Sequence, residues 1–200
     1  MKAFIIAEAG INHNGSISRA KKMIDIAKRS GANAIKFQSY FPEKLVTENS
    51  KQMPYQLINN KSKISQYKML KKCQLTFESQ KKLFEYCKKK NIEFISTPYD
   101  DSSAIFLKKI GVNKIKVAST DITNVPFLKF ILKLNKKVII STGATDLKEL
   151  TEIFDIIINK KNKRRITILQ CTSFYPCKDK ELNINSIKVL KKKFNVDVGF

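Results

Sequence analysis

The sequence has little of what would place it in several common classes. Cysteine occurs four times in 200 residues. Cys73, Cys87, Cys171 and Cys177 form no C-x-x-C pair and no zinc-ligand spacing. That argues against a disulfide framework or a structural zinc module and points to reduced thiols in the cytoplasm. There is one histidine, His13, and one histidine cannot make a metal site. No apolar run approaches the roughly 20 residues that cross a bilayer. Met1-Lys2-Ala3 lead straight into a strand-like run, so no signal peptide and no membrane partner are expected. No low-complexity stretch and no second domain stand out, so one domain over 1–200 is expected. Carboxylates are scarce: 17 Asp and Glu against 39 Lys and Arg, a net charge of +22. Such a balance invites a nucleic-acid reading. Yet arginine occurs only at Arg19, Arg29, Arg164 and Arg165, and the lysines spread over predicted helix faces and ends, as in Lys71-Lys72, Lys88-Lys89-Lys90 and Lys191-Lys192-Lys193. The pattern fits a solvated surface and the coding bias of an AT-rich genome, with no nucleic-acid partner.

What is present is a repeating plan. Phe4 to Ala9 form an apolar run of strand length interrupted by one carboxylate, Glu8. Gly10 to Gly15 form a loop rich in Gly and Asn. Ser16 or Ser18 then caps a helix with Ile17, Ala20, Met23, Ile24 and Ala27 at helical spacing, stopped at Gly31. Further strands are predicted over 32–38, 93–97, 114–118, 137–141, 166–171 and 196–200. Helices are predicted over 64–75, from Thr76 past Cys87, and over 102–110, 126–134, 147–157 and 185–194. Asp146 and Glu149 predict a capping box before the 147–157 helix. Residues 39–64, with Pro42 and Pro54, are too long for an ordinary connection and read as a functional loop. Seven strands alternating with helices imply a parallel sheet. No G-x-G-x-x-G follows the first strand, so the α/β class expected is a TIM (β/α)8-type barrel, apparently truncated after the seventh strand.

The active site of such a barrel lies at the carboxyl ends of the strands. There the sequence offers Glu8; Lys36 and Gln38, two apart and so on one face; Ser96 and Thr97; Lys116 and Ser119; Ser141 and Thr142 before Gly143; and Gln170, Thr172, Ser173 and Tyr175. Ile35, Phe37, Ile115 and Val117 alternate with the lysines and should face the helices. Lys36 and Lys116 then point inward, where an ammonium group is costly unless partnered. Two readings follow: an anion site for phosphate or carboxylate, or structural ion pairs. Glu8 is a working carboxylate or the partner of a lysine. His13 suits a loop hydrogen bond as readily as catalysis, and Tyr175 suits packing.

Ala7-Glu8-Ala9-Gly10-Ile11-Asn12-His13-Asn14-Gly15 resembles the first-strand signature of the sialic acid synthases, the N-acetylneuraminate, legionaminate and pseudaminate synthases. Lys36-Phe37-Gln38, Ser96-Thr97-Pro98, Lys116-Val117-Ala118-Ser119, Ser141-Thr142-Gly143 and Cys171-Thr172-Ser173-Phe174-Tyr175-Pro176 fall in that family's order and spacing. The resemblance implies a transferase of carbohydrate and cell-surface polysaccharide biosynthesis. It condenses phosphoenolpyruvate with an N-acylated mannosamine-type sugar, giving a sialic acid, neuraminate or legionaminate, and phosphate. It implies a divalent metal, manganese or magnesium, whose ligands are not in this chain, and a homodimer. By motif, Lys36, Thr97, Lys116, Ser119 and Ser141 correspond to phosphoenolpyruvate contacts, Gln38 and Tyr175 to sugar contacts, and Glu8 to a carboxylate near the reacting centre. The sequence departs from the family at Ala118-Ser119-Thr120-Asp121, where the carboxylate is shortened, and at Ser173. It also lacks the later metal histidines and the C-terminal antifreeze-like domain. The chain alone is therefore expected to be inactive. An inactive remnant that keeps an anion-binding mouth is the alternative, and a basic nucleic-acid-binding protein a more distant one.

Overall fold

The computed structural model describes residues 3–53, 56–57, 64–174 and 176–200. Tyr175 and, within the expected 39–64 loop, residues 54–55 and 58–63 lie outside the described residues. The chain divides into two compact units, residues 1–112 and 113–200.

The first unit carries β1 (Ile6–Gly10), β2 (Ala34–Ser39) and β3 (Glu93–Pro98). They pair in parallel in chain order, with Glu8 opposite Lys36 and Gln38 opposite Thr97. Helix α1 (Ile17–Arg29) begins at Ser16, whose side chain accepts from the Arg19 N–H. Of the two candidate caps, Ser16 is the one used. α2 (Pro42–Leu45) is a single turn with proline in its first turn, where a missing N–H costs nothing. α3 (Gln66–Cys73) and α4 (Phe77–Lys89) are capped by Ser65 and Thr76. α5 (Asp101–Ile110) starts under Asp100 and ends at Gly111, which adopts φ +93. Helix faces and strands bury Ile24, Ile35, Phe37, Leu83, Ile95 and Leu107 almost completely, each worth about 1.5–3 kcal/mol relative to exposure. Tyr40, Met69 and Leu70 form a smaller cluster with Ile11, Leu45, Val46 and Tyr99 against it. Ile11, Tyr40 and Tyr99 each follow a strand end, so this cluster lies on the carboxyl side of β1–β3.

The second unit carries β4 (Lys114–Val117), β5 (Lys137–Ser141), β6 (Ile166–Leu169) and β7 (Asp197–Gly199), again parallel neighbours in chain order. Its helices are α6 (Val125–Lys133), α7 (Leu147–Ile157) and α8 (Ser186–Phe194). Ile115, Leu128, Ile131, Ile140, Phe154 and Ile168 form its core. The alternation of parallel strand and helix through both units is that of a TIM-type barrel, with seven strands among the described residues.

The structure trims two expectations. β6 stops at Leu169 rather than Cys171, and Thr172 turns its hydroxyl to the Glu181 carbonyl. The box before α7 is half formed. Asp146 Oδ1 accepts from the Glu149 N–H, but the Glu149 carboxylate takes the Thr145 hydroxyl instead of reaching back to the cap.

Candidate active site

In the first unit the site grows from β1 and β2. Register places Glu8 opposite Lys36, and Lys36 Nζ lies 2.7 Å from Glu8 Oε2. Lys36 also donates to Thr97 Oγ1 at 3.4 Å. The ion pair is open on one side: the side chains are 14% exposed for Lys36 and 52% for Glu8. A pair reached by water is a weak one, about 0–1 kcal/mol, so the lysine can turn to an incoming anion at small cost. Phe37, between Lys36 and Gln38, is fully buried and stacks on Phe94 at 5.4 Å. That alternation turns Lys36 and Gln38 to the other face, as the sequence predicts.

A bulge aims Glu8. The β1–β2 register shifts between Glu8 and Gly10, which bends the strand. Gly10 takes φ +51, and a Cβ there would stand 3.3 Å from Glu8 Oε1. Glycine therefore provides the backbone conformation and the room for the carboxylate. The loop that follows is held from inside. His13 is 1% exposed, and its Nδ1 accepts from the Gly15 N–H at 3.1 Å. With Nδ1 accepting, Nε2 carries the proton of a neutral ring. Burial pushes the imidazole down to about 4, a hydrogen bond with the Gly10 backbone opposing it. His13 thus makes the loop hydrogen bond that the sequence allows.

In the second unit Lys116 and Ser141, on adjacent β4 and β5, are both 6% exposed. Lys116 Nζ donates to the Val117 carbonyl at 2.7 Å and, in a short contact, to Ser141 Oγ. Cys171 Sγ reaches the same hydroxyl at 3.2 Å. The neighbouring turn is fixed through Gly143: its N–H donates to Ser119 Oγ at 3.1 Å, and its carbonyl accepts from Ser173 Oγ at 2.7 Å. A Cβ on Gly143 would meet both hydroxyl oxygens at 3.1 Å. A buried ammonium group beside the Ser141 hydroxyl suits an oxyanion such as phosphate or carboxylate.

Sequence reasoning names Asp121 without giving it a place. It closes the short 3-10 turn Ser119–Asp121. Its Oδ2 is buried with no hydrogen-bond partner among the described residues. Burial pushes its carboxyl up, with Lys116 pulling it the other way. Cys171 is the other residue missed; its signal is its place two residues beyond β6. Gln38 stands opposite Thr97 in register, and Tyr175 lies outside the described residues.

No three His, Cys, Asp or Glu side chains converge among the described residues. The Glu8 carboxylate is taken up by the Lys36 ammonium group, and the Lys116 ammonium group bonds to a carbonyl and a hydroxyl; a lone acid beside a fixed positive charge holds a divalent cation poorly. The residues described here do not fit a metal centre.

The fold is a barrel of TIM type with the ammonium groups of Lys36 and Lys116 near its strand ends. The NeuB family model matches residues 23–200, and the chain belongs to that family. It is 43% identical over 200 residues to the N,N'-diacetyllegionaminic acid synthase of Campylobacter jejuni, covering all of this chain and 60% of that protein. It is 37% identical to the N,N'-diacetyllegionaminic acid synthase of Legionella pneumophila, covering 100% of this chain and 57% of the relative. The chain thus spans about three fifths of the length of the curated relatives it matches. Among solved structures it resembles the N-acetylneuraminic acid synthetase of Leptospira borgpetersenii in complex with citrate, with a TM-score of 0.86 and 35% identity over all of this chain and 65% of that one.

Proposed function

We propose that this chain is the phosphoenolpyruvate-handling part of a sialic-acid-type synthase. The reaction joins the methylene carbon of phosphoenolpyruvate to the aldehyde carbon of an open-chain N-acylated mannosamine-type sugar. Water adds to the cationic centre left on the enol carbon, and the tetrahedral species expels phosphate. The product is a nine-carbon sialic acid, with legionaminate favoured by the two curated relatives above. Lys36 and Thr97 in the first unit, and Lys116, Ser119 and Ser141 in the second, are assigned to the anionic groups of phosphoenolpyruvate. Gln38 and Tyr175 are assigned to the sugar. Glu8, half exposed and aimed by the bulge, stabilises the cationic centre or takes the proton of the attacking water. A cytoplasmic enzyme, dimeric when whole, accords with this reading.

The observation that carries it is the pairing of Lys36 with Glu8. The two charges face each other across one register step, yet remain open to solvent, an arrangement suited to exchanging partners rather than to holding a core. The reaction is assigned to a longer protein, and the 200 residues alone are expected to be inactive. The test is a chimaera in which this chain replaces the corresponding part of the Campylobacter jejuni relative. With phosphoenolpyruvate, metal and candidate sugars, the chimaera should release phosphate only when an N-acylated sugar is present, and Glu8→Gln should abolish that release while phosphoenolpyruvate binding persists. A well-folded chimaera with no sugar-dependent release contradicts the proposal. So does release by the isolated chain above a no-enzyme blank, which would refute the placing of essential groups outside these residues.

A further inference from the structure

Eight of the lysines have a local reason. Lys28, Lys71, Lys72, Lys88, Lys89, Lys108, Lys109 and Lys133 lie in last turns of helices, where positive charge complements the helix dipole. One group does not. α7 has no basic residue in its last turn. Its five neighbouring cations come after the helix, in the turn that leads to β6: Lys160, Lys161, Lys163, Arg164 and Arg165. Repulsion among five like charges in six residues favours an extended, loose segment, yet this turn is tightly built. Asn162 is 6% exposed. Its Nδ2 donates to the Ile157 carbonyl at 2.8 Å, and its Oδ1 accepts from the Asn159 N–H at 2.9 Å. Asn159 Oδ1 in turn accepts from the N–H groups of Lys161 and Asn162. Lys163–Arg165 then form a 3-10 turn.

Arg165 donates to the Lys136 carbonyl at 3.2 Å. This brings the turn beside Lys136 and Lys137 at the start of β5. None of these seven side chains lies within ion-pair distance of a carboxylate among the described residues. The nearest acids in sequence are Glu152 and Asp155, both exposed on α7. The patch sits at the amino ends of β5 and β6, away from Ser141 and Cys171 at their carboxyl ends.

We infer that the α7–β6 turn is a docking surface for an anionic lipid headgroup layer. A held turn presents its charges without the ordering cost that a loose tail would bear on binding. The composition favours lipid over nucleic acid. The segment 155–165 has no exposed aromatic ring on which a base could stack. It has an exposed isoleucine instead, Ile156 at 55%, one turn before the charges and able to enter the headgroup boundary. Near an anionic membrane each lysine or arginine multiplies partition about fivefold, so a patch of this size suffices for reversible attachment.

The test is co-sedimentation of the 200-residue chain with vesicles of phosphatidylcholine alone, or of two parts phosphatidylcholine to one part phosphatidylglycerol. Binding to the second kind only, lost at high salt, is expected. The triple variant Lys160→Glu, Lys161→Glu, Arg164→Glu should reduce partition by at least about thirtyfold. The control triple Lys22→Glu, Lys81→Glu, Lys129→Glu makes the same charge change on exposed mid-helix positions of α1, α4 and α6 and should leave partition within about threefold of the parent. Equal losses in both triples would mean that net charge alone is responsible and would overturn the inference. So would absence of vesicle binding at physiological salt, or binding to duplex DNA through the same residues without binding to vesicles. None of these readings depends on catalytic activity.

Discussion

Burial changes the acid–base chemistry of His13. Its folded pKa is about 4 against an ordinary 6.5. Between these values the unfolded chain takes up a proton that the folded chain refuses, so stability rises with pH across that window. The contribution is fully present above pH 6.5 and is lost as pH falls through 4. A shift of this size corresponds to about 3 kcal/mol at a fully buried site. Asp121 acts with the opposite sign, since burial raises its carboxyl. His13 is the only histidine, so its ring protons give one resonance pair in a proton NMR titration. They should keep the chemical shift of a neutral ring down to about pH 5, with no step near 6.5. A midpoint near 6.5 would show that the ring is exposed and that the loop is not held as described.

At the scale of elements, the β1–α1 loop is docked onto the end of α3. Gly15 has φ +74, and a Cβ there would stand 2.5 Å from the Lys72 carbonyl oxygen. Cys73 Sγ reaches Asn14 Oδ1 at 3.8 Å. Gly31 supplies a control, because it has φ +81 with nothing near its Cβ position. Gly31→Ala should cost only the left-handed strain, about 1–2 kcal/mol. Gly15→Ala adds a backbone clash and should cost at least about 2 kcal/mol more in urea denaturation. Equal costs would mean that the loop does not bear on α3.

These elements also show what the sequence makes legible. Strand alternation in Ile35-Lys36-Phe37-Gln38 is enough to turn the lysine away from the helices, and Ser16, Thr76 and Gly111 mark helix ends by local chemistry. All seven strands follow from such signals. The bulge at Ala9, the acceptor role of His13 Nδ1 and the approach of Gly15 to Lys72 do not. Each depends on a partner that only the folded chain brings near, and a one-residue register shift leaves no local signature. Asp121 is similar: its acid is visible, but its idle oxygen depends on what surrounds it.

At the scale of the molecule, the net charge of +22 is placed only in part at helix ends, and no helix among the described residues is long and apolar enough to cross a membrane. Under the proposed function, the strand-end lysines of this NeuB-family barrel bind phosphoenolpyruvate. The direct measurement is calorimetric titration of the 200-residue chain with phosphoenolpyruvate, beside Lys36→Ala and Lys116→Ala, with circular dichroism to establish that each variant folds. Loss of one charge-assisted contact is worth about 1.5–3 kcal/mol, so each variant should bind about ten- to a hundredfold more weakly than the parent. Folded variants that bind phosphoenolpyruvate with unchanged affinity would contradict the account.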